Sequence, residues 1–226
     1  MIEFYIAIDI AVVLSILFIY FCTLDKPVLH TSLKGLASLS VISLCLVTIS
    51  ITGFGLNAII LCIGLLFCAL GDVLLALLEF KQPEYTDKIR ISGTSAFAMA
   101  QIAFIVLLAL VSNCLSLFGL IIGIIFAIGL IFLRKPMGLD FGKLLVPSLI
   151  YGCLLATNVG GSIINMIANF SVSNVLLCLG FVLFIISDLI LSKIYYGGDT
   201  KNLSKRLNYI TYYAAIIVLA SSFIIL

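Results

Sequence analysis

Apolar runs of roughly 17 to 25 residues, the length of an α-helix that crosses a bilayer, follow one another along the whole chain. Only short polar linkers separate these runs, so we expect a single integral membrane domain over residues 1–226 with no extramembrane domain. The pattern predicts eight transmembrane helices, over residues 2–22, 34–51, 57–79, 90–111, 115–133, 143–167, 173–194 and 206–226.

The composition agrees with this interpretation. Of the 226 residues, 64% are hydrophobic and 10% are charged, and the mean hydropathy is +1.36. A soluble domain of this size would have to present a more polar exterior. We therefore expect an all-α polytopic membrane protein. The first apolar run has no basic segment before it and is long enough to span, so we expect a helix and not a cleaved signal peptide.

The basic residues predict the orientation in the membrane. Linkers two, four and six, around residues 52–57, 112–115 and 168–173, contain no Lys or Arg. The positive-inside rule then places the odd-numbered linkers in the cytoplasm and both termini outside. We expect His30, the single histidine, to be solvated in the first linker. All twelve basic residues lie in or beside the odd-numbered linkers: Lys26, Lys34, Lys81, Lys88, Arg90, Arg134, Lys135, Lys143, Lys193, Lys201, Lys205 and Arg206.

The cysteines point to packing and not to chemistry. They are odd in number, lie in or at the edges of the apolar runs, and show no CxxC or Cys/His ligand spacing. We expect small buried side chains without a disulfide or metal role. The seven are Cys22, Cys45, Cys62, Cys68, Cys114, Cys153 and Cys178.

The third and seventh helices resemble each other. LCIGLLFCALGDVLLAL in the third aligns without gaps with LCLGFVLFIISDLILSK in the seventh, pairing Asp72 with Asp188, 116 residues apart. Four helices separate the two segments, so both run in the same direction. We expect two parallel four-helix repeats, about 1–112 and 113–226, related by an axis along the membrane normal.

The paired carboxylates are the candidate functional groups. At about 1.5 Å per residue, Asp72 and Asp188 lie roughly 14 and 8 Å inside the cytoplasmic helix ends. Gly64 and Gly180 share their helix faces and permit close approach of other helices. The two carboxylates are therefore expected to face each other across the repeat axis. Asp9, which has no counterpart, is expected to be structural.

Other polar and small residues could line the same space. The tyrosines among them could instead be residues of the aromatic belt at the membrane interface. The two carboxylates could also be buried packing residues without a chemical role. Two carboxyl groups close together favour one protonated acid and one ionised base. Either could be the acid, and greater depth favours Asp72 in that role. The residues that could line the space are Gly93, Phe97, Gln101, Tyr151, Asn158, Asn208, Tyr209, Tyr212 and Tyr213.

Several motifs in order resemble the YhhN-like family of integral membrane proteins, and the similarity spans nearly the whole chain. It includes the Lys-Pro near the second helix and Tyr151 in the sixth. One departure is Gln101, which stands where that family usually has His. The motifs are Gly71-Asp72-x-x-Leu75, Gly93-x-x-x-Phe97-x-x-x-Gln101, Ser187-Asp188-x-x-Leu191 and Tyr212-Tyr213-Ala214.

The family includes lysoplasmalogenases, which hydrolyse the vinyl ether of lysoplasmenylethanolamine or lysoplasmenylcholine to a fatty aldehyde and a glycerophospho-alcohol. The resemblance implies that Asp72 and Asp188 are catalytic and that no metal or nucleotide cofactor is needed. It also implies that Gly71 and Ser187 join the candidate substrate-binding residues.

The expected partner is a membrane lipid, with no nucleic acid and no soluble protein partner. The expected location is the cell membrane, multi-pass: a bacterial inner membrane, or an endomembrane if the chain is eukaryotic. A proton- or cation-coupled transporter that uses the same intramembrane carboxylates is the alternative left open by the sequence.

Overall fold

The computed structural model describes residues 1–53, 55–112 and 117–224. Cys114 and the predicted helix ends at residues 115 and 226 lie outside this part. The all-helical prediction is confirmed, because the described residues form eight α-helices and no strand. The helices are α1 (Ile2–Phe21), α2 (Pro27–Thr52), α3 (Leu56–Ala76), α4 (Thr86–Val111), α5 (Leu117–Leu133), α6 (Leu145–Ala168), α7 (Val172–Tyr196) and α8 (Asn202–Ser221).

Six of these helices are long and apolar enough to cross a membrane: α1, α2, α3, α4, α6 and α7, some with a short 3-10 extension. Helix α5 is apolar but has 17 residues, the lower limit for a span. Helix α8 begins with a polar turn and does not reach the same hydropathy. That all eight helices span, and that both termini lie outside, remain predictions.

Helix α2 differs most from its predicted bounds, because it begins at Pro27 and not at residue 34. Proline suits the first turn of a helix, where the missing N–H has no partner to lose. His30 and Lys34 therefore lie inside the helix, with 3% and 5% of their surfaces exposed. The prediction of a solvated His30 is wrong: its ring packs edge-on against Phe18.

Neighbouring helices pair along the chain: α1 with α2, α3 with α4, α5 with α6 and α7 with α8. Contacts of α4 with α6 and of α8 with α1, α2 and α3 join the first four helices to the last four. Five of the six described cysteines are buried and all six are free thiols, as expected of small packing residues. The described core thus needs no covalent cross-link.

Helix α5 attaches to the bundle through two glycines. Gly119 and Gly123 are its only buried residues among those described, and both lie against α6. A Cβ added at Gly123 would lie 2.2 Å from the Thr157 hydroxyl and 2.5 Å from the Cys153 carbonyl. Contact this close requires the absence of a side chain.

Replacing Gly123 by alanine should therefore loosen α5 and destabilise the protein by about 1–3 kcal/mol, the usual cost of overpacking. Gly129 lies on the same helix, and a Cβ there would meet nothing within 4 Å. Gly129→Ala should be neutral or slightly stabilising, because alanine favours the helix. Thermal unfolding in detergent micelles compares the two variants, and equal midpoints would contradict this packing.

Candidate functional site

The carboxylate of Asp72 lies in a polar environment that is almost closed to solvent. Asp72 is 2% exposed, and the Lys34 ammonium of α2 lies 3.2 Å from its Oδ1. Its Oδ2 accepts hydrogen bonds from the hydroxyls of Ser38 and Tyr212, each at 2.7 Å. A buried carboxylate with a cation and two donors is compensated as an anion.

The partners of Asp72 are themselves held by helix α8. Lys34 and Ser38 are four residues apart and so share one face of α2. The Tyr213 hydroxyl donates to the Lys34 carbonyl at 3.3 Å and lies 3.3 Å from the Ser38 hydroxyl. The Lys34 ammonium lies over the Tyr209 ring, 5.4 Å from its centre. Helices α2, α3 and α8 therefore meet around this ion pair.

Asp188, on α7, has a different environment. Its carboxyl group is hydrogen-bonded by the Tyr151 hydroxyl of α6, and no basic side chain in the described chain lies within ion-pair distance of it. Each carboxylate is thus met by a side chain from the helix immediately before its own. That side chain is an ammonium group for Asp72 and a neutral phenol for Asp188.

The two carboxylates line one small cavity, together with Lys34, Phe97 and Tyr212. The cavity has about 20 Å³ of space for water, which is enough for about one molecule. A water in this cavity would lie between an ion-paired carboxylate and one without a cation.

A second cavity, of about 100 Å³, opens on the other side of Asp188 between α4, α5, α6 and α7. Asp188 and Phe97 line both cavities. Asp188 therefore lies between a largely apolar cavity and a smaller one that Asp72 and Lys34 also line. The apolar lining includes Phe126, Leu130, Leu155 and Ile185.

Six of the candidate residues named from the sequence line these cavities: Phe97, Tyr151, Ser187, Asn208, Tyr209 and Tyr212. The Phe97 ring contacts the rings of Tyr151 and Tyr212, with centres 6.5 and 6.1 Å apart. Ser187 lines the smaller cavity, but its hydroxyl is bonded to the backbone and side chain of Asn208. Among these candidate residues, Tyr151 and Tyr212 are therefore the ones whose hydroxyl groups contact the carboxylates directly.

Gln101 and Asn158 do not line either cavity, and the Gln101 side chain lies beside the Tyr151 hydroxyl. The Asn158 amide donates to the Gln101 side-chain oxygen at 2.8 Å and to its backbone oxygen at 2.9 Å, which links α4 to α6. The Gln101 amide nitrogen is buried without a hydrogen-bond partner among the described residues. These two side chains form a polar link between helices and do not contact either carboxylate.

The remaining predicted residues support the side chains that line the cavities or form the ion pair. A Cβ at Gly71 would lie 2.6 Å from the Phe97 ring, and one at Gly93 would lie 2.5 Å from Leu75. Both glycines thus seat side chains that line the cavities. Tyr213 is 1% exposed and contacts Ser38 and the Lys34 backbone, so it belongs to the support of the ion pair.

The sequence analysis missed Lys34 and Ser38 as site residues, because it counted Lys34 among the basic residues of the first linker and gave Ser38, within the predicted helix, no role. Two signals were available. Pro27 is a favoured first residue of a helix, and polar residues at 34 and 38 have the spacing of one helix face. Together they would have extended α2 and placed a lysine at the depth of the carboxylates.

Comparison with known proteins supports the resemblance noted in the sequence. The family model described as the YhhN family matches residues 30–223, which include Lys34, Asp72 and Asp188. No curated protein and no solved structure matches the chain.

Removing the cation should expose the dependence of the fold on the ion pair. Lys34→Met leaves the Asp72 carboxylate buried and uncompensated, which we expect to lower the free energy of unfolding by about 3–5 kcal/mol. Adding Asp72→Asn should recover most of that loss, because the remaining amide carries no charge.

Unfolding in detergent micelles measures this double-mutant cycle. Lys81→Met is the matched control, since Lys81 pairs with Asp25 at the exposed surface, where ion pairs contribute little. Additive effects of Lys34→Met and Asp72→Asn would show that the two charges are not coupled.

Proposed function

The chain belongs to the YhhN family, and on that premise we propose that it is a membrane-embedded hydrolase that cleaves the vinyl ether bond of lysoplasmalogens. The products would be a fatty aldehyde and a glycerophospho-alcohol. The observation that carries the proposal is the pair of carboxylates on one water-sized cavity, one of them ion-paired and the other without a cation.

The two environments favour different roles for the two carboxyl groups. Asp72 is held as an anion by Lys34, so it serves as the base. Asp188 has no cationic partner and faces a largely apolar cavity, where a neutral carboxyl group is less costly to bury than a charged one. Asp188 therefore serves as the acid. This reverses the expectation from depth along the helix, which favoured Asp72 as the acid.

In the first step, Asp188 transfers its proton to the β-carbon of the vinyl ether. The double-bond electrons form the new C–H bond, and the α-carbon becomes part of an oxocarbenium ion. The Asp72 carboxylate lines the same cavity and stabilises this developing positive charge electrostatically. The Asp188 carboxylate that remains is available to take back a proton later.

In the second step, water in the small cavity attacks the α-carbon while Asp72 accepts one of its protons. The product is a hemiacetal. It collapses when Asp72 returns that proton to the glycerol oxygen and Asp188 takes the hemiacetal hydroxyl proton. One water is consumed, one aldehyde and one alcohol are released, and both carboxyl groups regain their starting states.

The cavities suggest how the lipid would bind. The apolar cavity lined by Phe126, Leu130 and Leu155 fits an alkenyl chain, and it reaches Asp188, where the vinyl ether would lie. The hydroxyls of Tyr151 and Tyr212 would hold the two carboxyl groups in position. This arrangement supplies the acid and the base from the chain's own residues, and the small cavity would hold the water that is consumed.

We also propose the two-repeat organisation and a site near the cytoplasmic end of a multi-pass protein. The contacts of α4 with α6 and of α8 with α2 are equivalent under a two-fold relation of the halves 1–112 and 113–226. The basic residues at the ends of α4, α5 and α7 would place the carboxylates in the cytoplasmic half of the bilayer.

Purified protein in detergent should release aldehyde from a lysoplasmalogen. Asp72→Asn and Asp188→Asn should each reduce the rate at least about 100-fold, the usual contribution of a general acid or base. Asp9→Asn is the matched control, because Asp9 lies exposed on α1 away from both cavities and should retain the full rate.

Full activity in both site variants would contradict the paired-carboxylate mechanism. If the protein releases no aldehyde but conducts protons or cations in proteoliposomes, with the same dependence on Asp72 and Asp188, the transporter alternative would replace the hydrolase.

A further inference from the structure

A cation that has no carboxylate partner among the described residues lies beside the apolar cavity. Arg90, near the start of α4, places its guanidinium over the rings of Tyr195 and Tyr196, 5.2 and 5.8 Å from their centres. Both tyrosines line the cavity that reaches Asp188. The guanidinium thus contacts two aromatic rings from the last turn of α7, at the end of the cavity that they line.

Arg90 has unused hydrogen-bonding capacity. The two ion pairs in the described chain involve Lys34 and Lys81, not Arg90. The Nε of Arg90 is buried and has no hydrogen-bond partner among the described residues. A planar guanidinium with free donors matches the two oxygens of a phosphate, and its fixed orientation lowers the entropic cost of binding one.

Hydroxyl groups accompany the cation at this end of the cavity. Thr94, one helical turn beyond Arg90, and Ser148 both line it, and the Ser148 hydroxyl lies 3.4 Å from that of Tyr196. A phosphodiester beside Arg90 would therefore meet further donors. The opposite end of the cavity is apolar. The cavity therefore has one polar and one apolar end, as a single-chain phospholipid does.

The position of Arg90 along the bundle also suits such a lipid. Tyr195 follows Asp188 by seven residues, which is about 10 Å along α7. The β-carbon of the vinyl ether and the phosphorus of a lysophospholipid are seven bonds apart, a span only slightly shorter than this distance when the glycerol is extended. A lipid with its ether at Asp188 would place its phosphate near the two tyrosines and the guanidinium.

We propose that Arg90 binds the headgroup phosphate and makes the site selective for lysophospholipids over phosphate-free ether lipids. This inference rests on the proposed function for the orientation of the lipid. It names a specificity-determining residue whose contribution is to binding and not to the transfer of protons.

The test measures binding without turnover. The probe is an alkyl-ether lysophosphatidylcholine, whose saturated ether cannot be protonated at carbon, and its partner is the matching alkylglycerol, which lacks phosphate. Arg90→Gln should weaken binding of the phospholipid roughly tenfold to a hundredfold, the scale of a lost charge-assisted contact, and leave the alkylglycerol unchanged. Arg90→Lys should retain part of the affinity, because the charge remains without the planar fork.

Lys88→Gln is the matched control. Lys88 lies on the same helix, is exposed and stacks on Tyr85 away from the cavity, so its loss should affect neither lipid. Equal weakening of both lipids by Arg90→Gln would overturn the proposal, since Arg90 would then only shape the cavity. Unchanged binding of the phospholipid would overturn it too.

The two proposals can fail separately. Failure of the wild-type protein to release aldehyde would contradict the proposed hydrolase activity. The binding test involves no turnover, and its result is the difference that Arg90→Gln makes between the two lipids.

Discussion

The buried ion pair between Lys34 and Asp72 is the interaction on which the rest of the site depends. Two charges removed from water cost several kcal/mol each unless they compensate one another with good geometry. Here the pair is 3.2 Å apart and is completed by Ser38 and Tyr212. Because these partners come from α2 and α8, the charge on Asp72 also requires that three helices be packed together.

The ion pair makes two similar carboxylates chemically different. Asp72 and Asp188 are paired by the sequence alignment of the third and seventh helices, and each is met by a side chain from the helix before its own. Helix α2 contributes an ammonium group at that place and helix α6 contributes the Tyr151 hydroxyl. In the proposed reaction one carboxyl group must hold a proton while the other accepts one. The ammonium group on α2 and the hydroxyl group on α6 would favour the ionised carboxylate at Asp72 and the protonated carboxyl group at Asp188.

The sequence predicted the eight helices and the location of both carboxylates within two of them, because long apolar runs and a charged residue within such a run are strong signals. It did not predict the burial of His30 and Lys34. A basic residue near the end of an apolar run resembles an interfacial one, and its carboxylate partner lies on another helix. Depth along the helix favoured Asp72 as the acid, whereas the roles proposed from the structure rest on Lys34 beside Asp72, a neighbour that the sequence analysis did not place there. Gln101 and Asn158 were plausible site residues by their polarity, but they bond to one another across α4 and α6.

The measurement that tests this account most directly is infrared spectroscopy of the purified protein at neutral pH, which separates the stretching bands of protonated and ionised carboxyl groups. The account predicts a protonated carboxyl band that is lost in Asp188→Asn and retained in Asp72→Asn. Loss of that band in Asp72→Asn, with its retention in Asp188→Asn, would contradict the assignment of Asp188 as the acid and Lys34 as the group that keeps Asp72 ionised.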